Sequence, residues 1–245
     1  MNGENFWDQD NSLENKNYNN PISANSVLST YFSKVYGWMA FALLLSGLAA
    51  WLTGHNSYFM QMFDAENKTI PFVLFGIEIA LVFGISAGIN KLSASMCTLL
   101  FVLYSVVNGL TMGVIFLVYT ETSILSTFLV TAITFGVMSI YGYTTKSDLT
   151  SWGKILLFAL IGLIVATLVN FFLKSPMMTY VISGIGVLVF VGLTAYDTQK
   201  LKDLAYTATD EESMTKLAVF GALDLYLDFV NLFRYLLSFL GNRRD

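Results

Sequence analysis

Charged side chains are scarce in this chain. Only 12% of its residues are Asp, Glu, Lys or Arg, about half the share usual in soluble domains. At the same time 55% are hydrophobic and the mean hydropathy is +0.62. A soluble fold cannot hide that much apolar surface, so the composition points to the bilayer. There is one cysteine, Cys97, which excludes an internal disulfide and a cysteine-built metal site; it lies in an apolar run, where packing is its expected role. The one histidine, His55, falls in a polar loop and is expected to be solvated, although its titration range suits a pH sensor. No basic patch is present, and the acids gather in the N-terminal tail and at Asp210-Glu211-Glu212. The net charge of -4 therefore argues for neither nucleic acid nor an acidic substrate. The acidic start lacks the basic region and adjoining apolar core of a signal peptide, so none is expected.

What the chain does have is long apolar runs. Residues 1–30 are polar and asparagine-rich and read as a disordered tail. Residues 31–245 read as one membrane domain with seven runs, at about 33–53, 70–90, 96–119, 122–143, 154–173, 177–199 and 217–240, each near the roughly 20 residues that cross a bilayer. The expected fold class is an all-α integral membrane protein of seven transmembrane helices. The tight linkers at 119–122 and 174–176 make consecutive spans antiparallel neighbours, whereas 54–69 and 200–216 are long, polar and expected in water. Lys16, Lys34, Lys91, Lys146, Lys154, Lys200, Lys202 and Lys216 fall on one side and Lys68 and Lys174 on the other. This bias places the N-terminus in the cytoplasm and the C-terminus outside, with Arg243 and Arg244 as the contrary signal. Gly84 with Gly88, and Gly109 with Gly113, have the small-xxx-small spacing of close helix contacts. The two halves show no inverted repeat, which weighs mildly against a conventional secondary transporter.

Few ionisable residues fall within the spans: Glu78, Asp197, Asp224, Asp228 and Arg234, with Lys91 at an edge. Such groups are costly in lipid and mark functional sites. Arg234 is near enough to a helix end to snorkel. Glu78 fits either a pathway or an interhelix hydrogen bond, while Asn108 and Asn170 read as helix bridges. Asp224 and Asp228 are four residues apart and share a face of the last helix with Asn231. That polar stripe must point inward, which places the last helix at the centre of the bundle. Asp197, on the preceding helix, can meet one of the two. Counted along the helices, Asp224 is the nearer match in depth, but span boundaries are uncertain by a few residues and depth leaves the choice open.

Two carboxyls held together away from water share a proton and titrate as a unit. Deprotonated, the pair repels itself and offers oxygens to a hard cation such as calcium; protonated, it can hydrogen-bond across two helices. That is a two-state element biased by pH.

Several segments carry a family resemblance: Lys34-Val35-Tyr36-Gly37-Trp38-Met39-Ala40, Asn108-Gly109-Leu110-Thr111, Tyr141-Gly142-Tyr143-Thr144-Thr145-Lys146, Gly192-Leu193-Thr194-Ala195-Tyr196-Asp197-Thr198-Gln199 and Leu225-Tyr226-Leu227-Asp228-Phe229-Val230-Asn231-Leu232-Phe233. From about residue 30 to the end the chain resembles the bacterial members of the Bax inhibitor-1 family. The resemblance implies a last helix surrounded by six others and a pH-sensitive calcium leak in a bacterial inner membrane. Its partners would be lipid, calcium ions and protons, with no enzyme activity and no cofactor beyond the permeant ion. It further implies that Asp197 pairs with Asp228 as sensor and gate and as possible calcium ligands, leaving Asp224, Glu78 and Asn231 as possible path residues. A basic latch at the inner end of the second helix belongs to the same pattern, and Lys91 is its candidate here.

Two other classes compete. Intramembrane aspartyl proteases also place aspartates on two successive helices, and Tyr196-Asp197 fits their first motif. Tyr226-Leu227 stand before Asp228 where a Gly-x-Gly is needed, however, and no Pro-Ala-Leu is present. A structural or regulatory membrane protein, in which the carboxyls only hydrogen-bond, is the third reading.

Overall fold

The computed structural model describes residues 21–62, 69–89 and 91–244. Among these residues the chain is helical, without strands, and a single isolated bridge joins Tyr119 to Arg243. The helices are α1 (Pro21–Gly54), the short α2 (Ser57–Met62), α3 (Thr69–Gly88), α4 (Ala94–Met112), the single turn α5 (Ile115–Val118), α6 (Glu121–Thr144), α7 (Thr150–Leu173), α8 (Pro176–Ala205) and α9 (Glu211–Leu240).

Six segments are long and apolar enough to cross a membrane: Ser26–Gly54, Thr69–Gly88, Ala94–Val118, Glu121–Thr144, Thr150–Leu173 and Pro176–Ala205. The long helix α9 is not among them, because Lys216, Asp224, Asp228 and Arg234 interrupt its apolar sequence. It is nonetheless the most enclosed helix. Residues 221–223, 225–226, 228–230 and 232–233 are all buried, and consecutive residues point about 100° apart around a helix. Burial of three in a row therefore requires neighbours on several sides. Those neighbours are α8, α1, α6 and α4. Helix α3 packs mainly on α4, and α7 on α8, as an outer layer. Both turn large apolar side chains outward, including Phe72, Phe83, Phe158 and Phe172. In water this would be an aggregating surface; in lipid it is a solvated one.

The element boundaries differ from the sequence expectation at informative places. Helix α1 begins at Pro21, so residues 21–30, expected in the tail, are helical. Proline suits a first helical turn, and Leu28 and Tyr31 are buried on the bundle. Residues 1–20 lie outside the described residues. Most of the expected 200–216 linker is also helix, and α8 and α9 are joined by residues 206–210 alone. Asp210 starts α9 as a capping box, its carboxylate accepting from Ser213 N–H at 2.7 Å. That bond holds the Asp210 carboxyl below its usual range. The cap therefore supports the fold above the ordinary carboxylate range and is lost as the pH falls through the lowered value. Leu201 and Ala205, expected in solvent, are buried.

Glycines set the closest approaches. A Cβ on Gly109 would lie 2.6 Å from the Ser46 carbonyl oxygen, and one on Gly113 would lie 2.6 Å from Thr53 Cβ. The second small-xxx-small pair thus seats α4 on α1. Gly84 has nothing within 4 Å of its Cβ position and Gly88 meets only the Leu92 side chain, four residues on, at 2.8 Å, so the first pair does not seat one long helix on another.

Candidate functional site

The acidic site lies between α8 and α9. Asp197 and Asp228 are in side-chain hydrogen-bond contact. Two carboxyls can share a hydrogen bond only with a proton between them. Asp228 is 4% exposed, and its Oδ2 has no hydrogen-bond partner among the described residues. It is Asp228, rather than the shallower Asp224, that contacts Asp197.

Asp224 is a half-buried neighbour of the pair, and its Oδ2 lies 3.4 Å from Lys200 Nζ. The same ammonium lies 3.7 Å from Asp197 Oδ1. Sequence reading counted Lys200 only as an inner-face charge. Its signal was the i, i+3 spacing to Asp197, which puts both on one helix face. Lys91 is exposed and forms no ion pair among the described residues.

Beside the pair in sequence, a chain of hydroxyls links α8 to α6 and α1. Thr198, next to Asp197, meets Ser139 at 3.0 Å, and Ser139 meets the Tyr36 hydroxyl. Tyr36 and Ser139 also line a cleft of about 510 Å³ between α1 and α6. Gln199 anchors the 145–149 turn, accepting from Leu149 N–H at 2.8 Å and donating to the Ser147 carbonyl at 2.8 Å. The Asp-Thr-Gln triplet on α8 thus faces three different partners.

The other candidate residues lie apart from the pair. Glu78 is buried and accepts from the Thr111 hydroxyl at 2.6 Å, joining α3 to α4. Asn231 donates to the Leu227 carbonyl of its own helix at 2.9 Å. Arg234 is exposed. Asn108 accepts from the Tyr226 hydroxyl at 2.9 Å, and that hydroxyl also meets Ser46 at 2.6 Å, so one tyrosine on α9 ties α4 and α1 together. Asn170 donates to Thr179 at 2.7 Å across the α7–α8 turn. Tyr226→Phe strands the Asn108 side-chain oxygen, while Ser46 keeps the Ala42 and Ser105 carbonyls at 2.9 and 2.7 Å, and an unmet polar group costs about 1–3 kcal/mol. A matching drop in thermal stability in detergent is expected, measured against wild type. His55 is exposed, as expected, and its ring also has Nδ1 2.9 Å from the Trp51 carbonyl and Nε2 3.3 Å from Glu121. Cys97 is buried in packing.

Among the described residues no group of three or more His, Cys, Asp or Glu is arranged to hold a metal ion.

A helical membrane protein with a buried carboxyl pair between two packed helices is the class that fold and site define. The family model described as "Inhibitor of apoptosis-promoting Bax1" matches residues 28–245. The inner membrane protein YbhL of Escherichia coli strain K12 is 50% identical over 219 residues, covering 89% of this chain and 93% of that protein. The uncharacterized protein RP147 of Rickettsia prowazekii is 45% identical over 220 residues, 89% of this chain and 92% of its own length. An uncharacterized protein of Borreliella burgdorferi is 42% identical over 220 residues, 89% and 94% of the respective chains. The chain belongs to the Bax inhibitor-1 family.

Proposed function

We propose that this protein is a pH-sensitive cation leak of the bacterial inner membrane, with calcium as cargo and the Asp197–Asp228 pair as sensor and gate. The observation that carries the reading is a carboxyl that is 4% exposed, in contact with a second carboxyl on the next helix, with one oxygen left unpartnered. A purely structural hydrogen bond has no use for that orphan oxygen, which is costly to bury. With a proton shared, the pair ties α8 to α9. Without it, two negative charges in contact push the helices apart, and the freed oxygens suit a hard cation in passage.

In this reading α9 is a seventh span at the centre of the bundle, supported by its enclosure between α8, α1, α6 and α4. The N-terminus is cytoplasmic and the C-terminus outside, on the lysine bias of the linkers. The Escherichia coli relative is named an inner membrane protein, which supports the same membrane here. Asp224 stands on the cytoplasmic side of the pair as a path residue, while Glu78 and Asn231 serve helix contacts. Calcium is cargo rather than cofactor, and no enzymatic step is assigned.

The test is calcium entry into proteoliposomes loaded with a fluorescent indicator, compared with protein-free vesicles of the same lipid. Protein-dependent entry that Asp197→Asn alters while the variant stays folded supports the leak. Entry equal to the protein-free background removes it, and leaves the pair as a structural contact.

A further inference from the structure

Lys200 stands at an unusual place for an exposed lysine. Its ammonium lies 3.7 Å from Asp197 Oδ1 and 3.4 Å from Asp224 Oδ2, and 5.9 Å from the centre of the Phe220 ring. It thus bridges α8 and α9 on the linker side of the carboxyl pair. The nearby cations of the surrounding helices are engaged elsewhere. Lys202 donates to the Tyr143 carbonyl at 2.7 Å, Lys34 meets Thr215 at 3.5 Å and Glu211 at 3.9 Å, and Lys216 meets Glu212 at 3.9 Å. Among the described residues Lys200 alone places a positive charge against the acids. Tyr31 and Tyr196 are the neutral titratable neighbours. Just beyond the bridged carboxylates sits the unpartnered, buried Asp228 Oδ2. A short row of carboxylate oxygens therefore begins with a cation the protein carries itself.

We propose that Lys200 is a tethered cation that occupies the position a permeating ion must take between Asp197 and Asp224, so that a free cation enters by displacing the ammonium. This rests on the leak reading for its biological meaning, although the displacement itself is a binding event. The side chain can make the exchange: it is 45% exposed and hangs on a flexible four-carbon stem. Two carboxylates and water would hold an ion weakly enough to release it, as a transit position requires. Lysine then acts as a specificity residue. A monovalent ion only matches the charge it displaces, whereas a divalent ion exceeds it.

The experiment is equilibrium binding of calcium to the full chain in lipid nanodiscs, for wild type, Lys200→Met and Lys200→Arg. Methionine keeps the stem and removes the charge. Removing one positive charge a few ångströms from a divalent ion predicts a gain in affinity on the order of tenfold or more. Lys200→Arg keeps the charge and is expected within about twofold of wild type on the same electrostatic argument. A second measurement needs no variant: saturating calcium raises the labelling of Lys200 by a water-soluble amine reagent, relative to the exposed Lys146, read by mass spectrometry.

Tighter binding in Lys200→Met alone, together with calcium-dependent exposure of Lys200, supports the proposal. Equal or weaker binding in Lys200→Met, no saturable binding in any protein, or unchanged labelling overturns it. The two readings separate cleanly. If vesicles show no protein-dependent flux but binding responds as stated, the leak falls and the tethered cation stands.

Discussion

Asp228→Asn is expected to leave calcium entry nearly flat across pH 5 to 8, where the wild type changes by up to about tenfold per pH unit, the limit for one linked proton. The amide keeps the size of the carboxyl and can still hydrogen-bond to Asp197, so the helices stay packed. What disappears is the second titrating group, and with it the repulsion that separates α8 from α9. Because Asp228 is almost fully buried and touches Asp197, nothing nearby can replace it. Asp224 already engages Lys200. The measurement is indicator fluorescence in proteoliposomes at matched protein density, with folding checked by thermal unfolding. A variant that folds and keeps the full pH response would show that the pair is not the sensor.

The second large effect is on assembly. Gly142→Val is expected to destabilise the protein by about 3 kcal/mol or more, at or beyond the upper end of overpacking costs. A Cβ at Gly142 would run into the carbonyl oxygen of Ala195 and lie 2.9 Å from its Cα. Those are backbone atoms of α8, two residues before Asp197, and cannot rotate away. The contact sets how closely α6 approaches α8, and hence whether Ser139 reaches Thr198 at 3.0 Å. Gly136→Val, one and a half turns away on the same helix with nothing within 4 Å of its Cβ position, is the control. Comparable losses in the two variants, measured by thermal unfolding in one detergent, would mean that helix propensity rather than packing decides.

Much of the architecture could be read in the residues because lipid imposes a coarse rule. Runs of about 20 apolar residues have few alternatives to a spanning helix, and six segments meet that standard in the structure. Helix ends were harder to read. The expected boundaries followed hydropathy, whereas α1 and α8 continue beyond the apolar stretch, to Pro21 and Ala205, because hydrogen bonding and packing continue there. The last helix was expected from its apolar run, and its enclosure was legible through its acids, since a polar stripe in an apolar helix needs protein around it.

At the site, residue spacing made the two acids of α9 candidates together, but depth along the helices favoured Asp224. In the structure Asp228 contacts Asp197 while Asp224 engages Lys200, a division of partners that counting residues cannot capture. Lys200 went unnoticed as a site residue for a related reason. At the end of an expected span it looked like an ordinary inner-face charge, and only the continuation of α8 brings it beside Asp224. His55 is exposed, as its polar loop suggested, and the fold adds Glu121 from a distant helix as a partner that no local pattern announces.

The central claim is that losing the shared proton of Asp197 and Asp228 opens the path, and the sign of the wild-type pH response tests it most directly. Calcium entry into proteoliposomes should be recorded at intervals from pH 5 to 8, with protein-free vesicles subtracted at each pH. If deprotonation separates α8 and α9, entry rises with pH through the titration of the pair and levels off above it. Entry that rises on acidification over the same range, and does so only while both aspartates are present, would contradict the account.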